Sequence, residues 1–513
     1  MKIKKYIAMC AVGAAMMGMT SCVNDLDLKP TDPNTKTELS SAAEWQGYFG
    51  SLYGALLYPG NLSTSDGGAG TFTRCHWNLQ EISADEAIIS NKWNDPGYHS
   101  LNFNTWGTDN EWVYAAFSRE FYTARQATEF LSKANGAKSY LSEEEVEAMK
   151  AEARVIRALG YYYMVDLFGK GPYVNDTPTG GIPPTYDRKQ LFDAAVSDLK
   201  AAIDEGHLVP ASRQAYGRVS EEAARMLLAK FYLNAKVYVG EDMYKECAEQ
   251  CQKIVASIPS LAPTYKYLFC ASNDKYVGNG EILWAVPQQV GVMETYGGTT
   301  YLTAGAYVES APTEVLKSLG TTAVPWSGVR MRPELSKSFE KGDERALYYA
   351  GTFNVDVDNL DNFDENSDGY MCIKYTYTTE DDYTNEAGLE NANQMCNADY
   401  PLFRLADTYL MLAECQLNGV ECNGKQYFDK VRERAGLQPL ALTADNLLHE
   451  RQTELYWEGW RRSDLIRFGK YTGSNYNWSW KGGVLEGTGI DANRAVYAIP
   501  YQYVATIGQN PGY

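Results

Sequence analysis

The sequence predicts a mainly α-helical protein: a tetratricopeptide-like helical-repeat scaffold (an α–α superhelix) with a loop-rich insertion face that contains short strands. Three observations predict it. Several separated segments place apolar residues at helical spacing, and small residues occur where paired helices would cross. Between residues 260 and 400 glycine, tyrosine, threonine and asparagine dominate instead. Each helix pair needs a neighbour to bury its apolar face, so we expect the separated pairs to share one body.

The N-terminal residues predict a targeting segment followed by a linker. Three lysines precede an apolar run that is shorter than the roughly 20 residues needed to cross a bilayer, and Thr20-Ser21-Cys22 follows. We therefore expect residues 1–21 to be a lipoprotein signal peptide and Cys22 to be lipidated. An ordinary signal peptide with an incidental cysteine is the alternative. Residues 22–38 are polar and turn-prone, which predicts a lipid-anchored linker.

Two regions are expected after the linker, residues 39–260 with helix pairs and residues 261–513 with ligand-facing loops. Ser142 followed by three glutamates is a good N-terminal cap for the first strongly periodic helix. Residues 40–112 and 260–400 are expected to be rich in loops, where function is concentrated in a helical scaffold. The predicted helices are Glu143–Phe168, Asp187–Glu205, Glu221–Val239, Tyr244–Ile258, Leu405–Leu417 and Gln426–Arg434.

Charge and cysteine pattern exclude several classes of protein. A formal net charge of −19 without basic clusters argues against nucleic acid and against an anionic lipid surface, which leaves a neutral ligand as the simplest partner.

The ten cysteines lack CxxC spacing and histidine companions, so no metal or other cofactor is expected. Cys247 and Cys251 share a helix face and are expected to be buried. Asp364–Gly369 has the opening spacing of a calcium loop but lacks the closing glutamate, so an acidic turn is expected, with a calcium site as the alternative.

Motifs along the whole mature chain resemble the SusD/RagB family. The residues that carry the resemblance are Arg154–Pro172, Arg404–Asp407, Glu450–Tyr471, Ile499-Pro500 and Gln509–Gly512; Val23–Thr35 and Trp478–Gly483 add a likeness to the family's starch-binding founding member. The resemblance implies a non-catalytic lipoprotein on the outer face of the outer membrane, with a loop-rich glycan-binding face. It also implies a partner, a TonB-dependent transporter of SusC type, over which the protein lies as a lid.

A neutral glycan binder needs flat aromatic rings against sugar C–H faces and a few amides or charged groups that bond hydroxyls. Tyr296, in a Tyr-Gly-Gly turn, and Trp326, in Val-Pro-Trp-Ser-Gly, offer such rings. The resemblance implies that Arg74, Asn94, Tyr296 and Trp326 bind glycan, an α-glucan by preference, because they match the starch-binding relative by spacing. The positions of two tryptophans in that relative are occupied by Ile89 and Asn91 in this chain. Trp93 is expected to supply the stacking ring that is missing there. Loop packing is the alternative for each residue.

Two other functions stay open at this stage. A surface glycoside hydrolase would need two carboxyl groups, and the acids near the aromatic candidates are Glu81, Asp85 and Glu86. A protein-binding helical scaffold without a glycan site is the other. A run of charged residues also suggests an active site, but its spacing on one helix predicts a structural ion-pair network. That run consists of Glu450, Arg451, Glu454, Glu458, Arg461, Arg462 and Asp464.

Overall fold

The computed structural model describes residues 38–59, 70–90, 93, 95–177, 181–258, 260–278, 280–356, 358, 360, 368–385 and 394–513. The signal segment, Cys22, nearly all of the linker, Asn94 and most of Asp364–Gly369 lie outside these residues. By contacts the chain divides into two compact units, Met1–Tyr48 and Phe49–Tyr513. In the described part of the first unit, the Ser40 amide donates to Glu44 Oε2 at 2.6 Å as the first helix begins.

The described chain is mainly helical, which confirms the predicted fold class. The helices are α1 (Ala42–Leu57), α2 (Phe72–Trp77), α3 (Tyr98–Asn102), α4 (Glu111–Lys133), α5 (Glu143–Tyr163), α6 (Arg188–Asp204), α7 (Glu221–Leu233), α8 (Ala235–Tyr238), α9 (Tyr244–Ser257), α10 (Thr299–Thr303), α11 (Thr313–Ser318), α12 (Pro333–Ser338), α13 (Glu380–Asn385), α14 (Leu405–Leu417), α15 (Gly424–Arg434), α16 (Ala444–Leu455), α17 (Arg461–Arg467) and α18 (Tyr501–Ile507).

The strands are short and pair two by two. They are β1 (Ala87–Ile89), β2 (Lys170–Pro172), β3 (Thr185–Asp187), β4 (Ile282–Val286), β5 (Val329–Met331), β6 (Tyr348–Tyr349), β7 (Met371–Cys372) and β8 (Tyr400–Arg404). Within the described residues the sheets are antiparallel pairs: β1 with β5, β2 with β3, β4 with β8 and β6 with β7. In β1–β5, Ala87 lies opposite Met331, so a segment near the start of the chain is joined to the insertion.

Consecutive helices pack on one another as a repeat scaffold should. Helix α4 packs on α5, α5 on α6, α6 on α7, α7 on α9 and α14 on α15. Helix α9 also packs on α14, although the loop-rich insertion separates them in sequence. This contact confirms that the separated helix pairs share one body. The predicted region boundary between residues 260 and 261 stays a prediction.

Local sequence explains where the longest scaffold helices begin and end. The Ser142 hydroxyl accepts the Glu145 amide at 3.2 Å, and the Glu145 carboxylate accepts the Ser142 amide at 3.0 Å, which forms a capping box. Helix α5 then continues into a π-helical turn, Met164–Phe168, and ends at Gly169 with a φ of 69°. The predicted helix over Glu143–Phe168 is therefore confirmed in extent, with a change of hydrogen-bond pattern in its last turn.

Close helix packing depends on glycine at one crossing. A Cβ atom at Gly160 of α5 would lie 2.7 Å from the Glu120 carbonyl oxygen and 3.0 Å from the Ala124 amide nitrogen, both on α4. Glycine therefore lets these two helix backbones approach more closely than a side chain would allow. This crossing was not predicted, because α4 was not among the predicted helices.

Several details differ from the prediction. The longest helix, α4, was not among the predicted helices. Residues 40–112 contain α1, a full 16-residue helix, because its three glycines are scattered among good helix formers. The expected helix over Glu221–Val239 is interrupted at Asn234, which separates α7 from α8. The charged run from Glu450 to Asp464 is divided between two helices, α16 and α17, with Glu458 in the turn between them, because Trp457 has a φ of 61°, outside helical geometry.

The eight cysteines within the described residues are buried free thiols, as expected for Cys247 and Cys251. Burial raises the pKa of the Cys75 thiol to about 12. In the part of the chain that the structure describes, no helix combines the length and the apolar character needed to cross a membrane.

Candidate functional site

Trp326 lies in a turn that is held firmly to the chain after α10. The Trp326 amide donates to the Ala304 carbonyl at 2.7 Å, and the amides of Ser327 and Gly328 donate to Tyr307 and Gly305 at 3.0 and 2.9 Å. Ser327 has a φ of 58°, which turns the chain sharply directly after the tryptophan. The backbone is therefore fixed while Trp326 stays partly exposed.

Tyr296 lies beside Trp326 on the surface. Its ring centroid is 5.8 Å from that of Trp326 with an interplanar angle of 54°, and the residue is 45% exposed. The next residue anchors it, because the Gly297 carbonyl accepts hydrogen bonds from the hydroxyls of Thr71 and Thr73 at 2.9 and 3.1 Å. An exposed ring on an anchored backbone is a preformed stacking face.

Trp93 joins the same surface from the other side of the Trp326 turn. Gly328, two residues after Trp326, lies so close to the Trp93 ring that a Cβ added to it would overlap the indole. The Trp93 indole N–H donates to Asp95 Oδ2 at 3.0 Å, which fixes the orientation of the ring. Trp93, Tyr296 and Trp326 thus form one surface group, which we call the aromatic cluster.

Arg74 lies beneath this surface, and its side chain is fully buried. Its Nη2 donates to Asp95 Oδ2 at 2.8 Å and to the Tyr98 hydroxyl at 3.1 Å. Its guanidinium carbon also lies 4.1 Å from the ring centroid of Tyr301 and 5.0 Å from that of Trp112, at cation–π distances. In this arrangement Arg74 positions Asp95, and through it Trp93, while its contact with glycan stays a prediction.

Burial around Arg74 keeps its tyrosine neighbours neutral. It raises the pKa of Tyr98 to about 12 and the pKa of Tyr301 well above its usual range. The Asp95 carboxylate balances the Arg74 charge, and only 15% of its side chain is exposed. The surface at the aromatic cluster therefore combines neutral rings with one charge pair that is already satisfied.

The structure thus brings together four of the five residues predicted for the binding site. Arg74, Trp93, Tyr296 and Trp326 lie in one connected group, and Asn94 falls outside the described residues. Sequence reasoning did not assign Asp95, although its position two residues after Trp93 was a signal. Whether these residues contact a ligand stays a prediction.

The charged run around α16 and α17 is a buried structural network, as predicted, but its partners come from other elements. Glu454 bonds Arg404 at 2.9 Å, and Glu450 bonds Arg345 at 2.6 Å, with all four side chains at most 1% exposed. Asp464 bonds Arg451 at 2.8 Å within the run itself. These groups are neutralised inside the protein, so they do not form an accessible site.

The three acids considered for hydrolysis are also buried. Glu81 Oε1 accepts the amides of Gly459 and Trp460 at 2.6 and 3.1 Å, and Glu86 Oε2 accepts the Trp457 amide at 3.1 Å. Asp85 is paired with Arg461, at 2.7 Å from its Nε. Each is at most 1% exposed. They hold the turn between α16 and α17 and do not line an open groove.

Sequence models of known families match most of the chain. The model of the SusD family matches residues 297–506, and a second model, described as starch-binding and associating with the outer membrane, matches residues 73–233. Together with the likeness along its full length described next, this shows that the chain belongs to the SusD/RagB family.

Individual relatives agree with this assignment. The starch-binding protein SusD of Bacteroides thetaiotaomicron is 29% identical over 100% of this chain and 99% of its own. SusD-like protein P25 of Formosa agariphila is 27% identical over 64% of this chain and 65% of its own. Among solved structures, surface glycan-binding protein A of Bacteroides fluxus superposes with a TM-score of 0.71 at 20% identity, covering 93% of this chain and 100% of that one. The corresponding protein of B. thetaiotaomicron in complex with laminarihexaose gives 0.66 at 17% identity, covering 92% and 100%. These superpositions show the fold.

The buried acids Glu81 and Glu86 predict a pH-dependent stability. Burial raises the pKa of Glu81 to about 7 and that of Glu86 well above its usual range. Since these folded-state values exceed the unfolded value of roughly 4.3, the stabilisation is complete below that pH and is lost as the pH rises through about 7. Between pH 6.5 and 8.5 the free energy of unfolding of the wild type should fall. In the Glu81→Gln variant we expect this fall to be smaller by roughly 1 kcal/mol.

Urea unfolding at each pH measures this difference. Glu144→Gln, which changes an exposed glutamate, is the matched control and should keep the wild-type slope. Equal slopes for Glu81→Gln and the wild type would show that the Glu81 carboxyl is not held protonated.

Proposed function

We propose that this protein is a non-catalytic lipoprotein of the cell surface that captures neutral oligosaccharide, preferably an α-glucan, and delivers it to a TonB-dependent transporter of SusC type. The aromatic cluster is the observation that carries the proposal. Three rings from three separate segments reach one surface, and each is fixed by its own backbone or side-chain contacts. Stacking on sugar C–H faces needs such rings.

The charges at the site favour a neutral ligand. Arg74 and Asp95 neutralise each other at 2.8 Å, and the arginine is buried, so neither sign of charge dominates the surface. Among the described residues of this surface, an anionic ligand would find the Arg74 cation buried and paired, and a cationic ligand would compete with Arg74 for the carboxylate. Sugar hydroxyls need neither, because they can bond the exposed edge of Asp95 and nearby backbone groups.

The relatives support a carbohydrate as the ligand. The full-length relative is named for starch binding, and one solved neighbour is a complex with laminarihexaose. The choice of an α-glucan follows the full-length relative, since the solved neighbours are similar only in fold. Linkage preference is the part of the proposal that a comparison of several glycans must test.

A glycoside hydrolase on the same frame is the alternative of another class. Hydrolysis would require two carboxyl groups about 5–10 Å apart on either side of the scissile bond. Glu81, Asp85 and Glu86 are buried and bonded to backbone amides or to Arg461, and Asp95 is held by Arg74. This burial favours binding over catalysis. A protein-binding scaffold without a glycan site is the other alternative, and it would give the aromatic cluster no role.

Tethering by lipid is part of the proposed mechanism. An acylated Cys22 followed by a polar linker would keep the folded body near one patch of membrane and raise its effective concentration over a transporter. The linker also gives the body freedom to move relative to the membrane, which a lid requires.

Trp326→Ala should weaken binding of maltoheptaose at least tenfold, about 1.4 kcal/mol, because it removes one of the three rings of the aromatic cluster. Isothermal titration and affinity electrophoresis in starch gels measure this. Tyr140→Ala is the control, since Tyr140 is an aromatic residue as exposed as Tyr296, at 45%, and follows the far end of α4.

The same titration against inulin, xylan and mannan tests the class of glycan. Binding to one of these instead of maltoheptaose would remove the α-glucan preference and leave carbohydrate capture in place. Unchanged binding by a folded Trp326→Ala variant would contradict the site. Release of reducing ends from starch by the purified protein would contradict the non-catalytic role.

Cys22→Ala should bind glycan in solution like the wild type, yet it should leave the membrane fraction and fail to support uptake by cells. The reason is that the substitution removes the acylated residue and leaves the folded body unchanged. Immunoblots of fractionated cells and growth on the glycan measure the two effects. Normal uptake with the variant would show that the cysteine is incidental.

A further inference from the structure

Tyr58 is an exposed tyrosine that is held at both ends. It follows α1 directly and is 45% exposed. Its hydroxyl donates to the Val292 carbonyl at 3.2 Å, and its own carbonyl accepts from Arg119 Nη2 at 3.0 Å. A surface tyrosine usually moves freely, whereas this ring is fixed before any ligand arrives. Fixed aromatic rings are efficient binding residues because little side-chain entropy is lost on binding.

The residue that holds the Tyr58 hydroxyl is itself in a rigid turn. Gln289 and Met293 exchange backbone hydrogen bonds of 2.8 Å in both directions, and the Gly291 amide donates to Glu294 Oε2 at 2.6 Å. Val292, at the tip of this turn, is 62% exposed. The turn therefore presents its outer edge to solvent and keeps the Val292 carbonyl in one place for Tyr58.

Two independent paths place Tyr58 close to the aromatic cluster. Val292 is four residues before Tyr296, so their Cα atoms are at most about 14 Å apart. Along α4, Trp112 contacts Arg74, and Arg119 follows seven residues later, which corresponds to about 10 Å of helix. Each length applies to one part of its path, and the Tyr58 and Arg119 side chains add several ångström to it. The two paths therefore place Tyr58 within the reach of an oligosaccharide of several sugar rings bound at the aromatic cluster.

We propose that Tyr58 is a second stacking subsite of the glycan-binding surface, which takes neutral oligosaccharide chains long enough to extend from the aromatic cluster past Val292. The inference rests on the proposed function and adds a requirement of length to it. A short oligosaccharide fills the aromatic cluster alone. A longer chain also contacts the Tyr58 ring, so the protein selects polymeric or long oligomeric ligands over short ones.

Titration of the wild type and four variants with maltotriose and maltoheptaose tests this subsite. Tyr58→Ala should weaken maltoheptaose binding fivefold to tenfold and leave maltotriose binding unchanged. Trp326→Ala should weaken both ligands, and Tyr140→Ala should change neither. Tyr58→Phe, which keeps the ring and removes the bond to Val292, should weaken maltoheptaose binding less than threefold. Thermal unfolding of each variant confirms that it is folded.

The results separate the subsite from the proposed function. Wild-type affinity of Tyr58→Ala for maltoheptaose, with binding lost in Trp326→Ala, would overturn the subsite alone. An equal loss for both sugar lengths in Tyr58→Ala would also overturn it, because the effect would then act through the aromatic cluster. A wild-type protein that binds neither sugar would overturn the α-glucan assignment and the subsite together.

Discussion

The structure depends on a network of charges in its interior. Arg404, at the end of β8, bonds Glu281 at 2.6 Å, Glu454 at 2.9 Å and Glu458 at 2.7 Å, and all four side chains are at most 2% exposed. Removing one partner of such a group costs roughly 3–5 kcal/mol, since it leaves a buried charge without compensation. The arginine therefore fixes the strand pair β4–β8 and the end of α16 relative to each other.

Neighbouring charges extend this network through the scaffold and the insertion. Burial alone would raise the pKa of Glu454, but Arg434, Arg404 and Arg345 together hold it down at about 2. Lys374 brings a segment of the insertion to Glu458 at 2.7 Å, and Arg434 ties α15 to Glu281 at 3.0 Å. The loop-rich face is thus bonded to the helical frame by ion pairs that water does not reach.

Aromatic packing connects this interior to the proposed binding surface. Trp457, beside Glu458, keeps a positive φ that is uncommon for a large residue, and its carbonyl accepts from the Trp77 indole at 3.0 Å. The Trp77 ring is 5.6 Å from that of Tyr301, on whose face Arg74 lies. Arg74 then fixes Asp95 and Trp93. The surface rings are therefore supported by contacts that lead back to the buried charges.

Periodicity and capping residues predicted most of the scaffold helices, and Leu405–Leu417 has the predicted bounds, but Glu111–Lys133 was not predicted. The break at Trp457 could not be predicted, because nothing in the local sequence indicates that Glu86 will bond its amide from a distant segment. The burial of Arg74 could not be predicted either, since it depends on Tyr301 and Trp112 packing around it. Motif spacing identified the residues of the aromatic cluster and Arg74. Only the tertiary contacts show that the rings lie at the surface and that the arginine lies beneath them.

The central claim is that a rigid interior holds a preformed aromatic surface for neutral glycan. A crystal structure of the protein with bound maltoheptaose tests it most directly. We predict sugar rings stacked on Tyr296 and Trp326, unchanged hydrogen bonds between the Trp326 turn and Ala304, and Arg74 still buried on Asp95. A sugar bound elsewhere, or a Trp326 turn that leaves Ala304 to reach the ligand, would contradict the account.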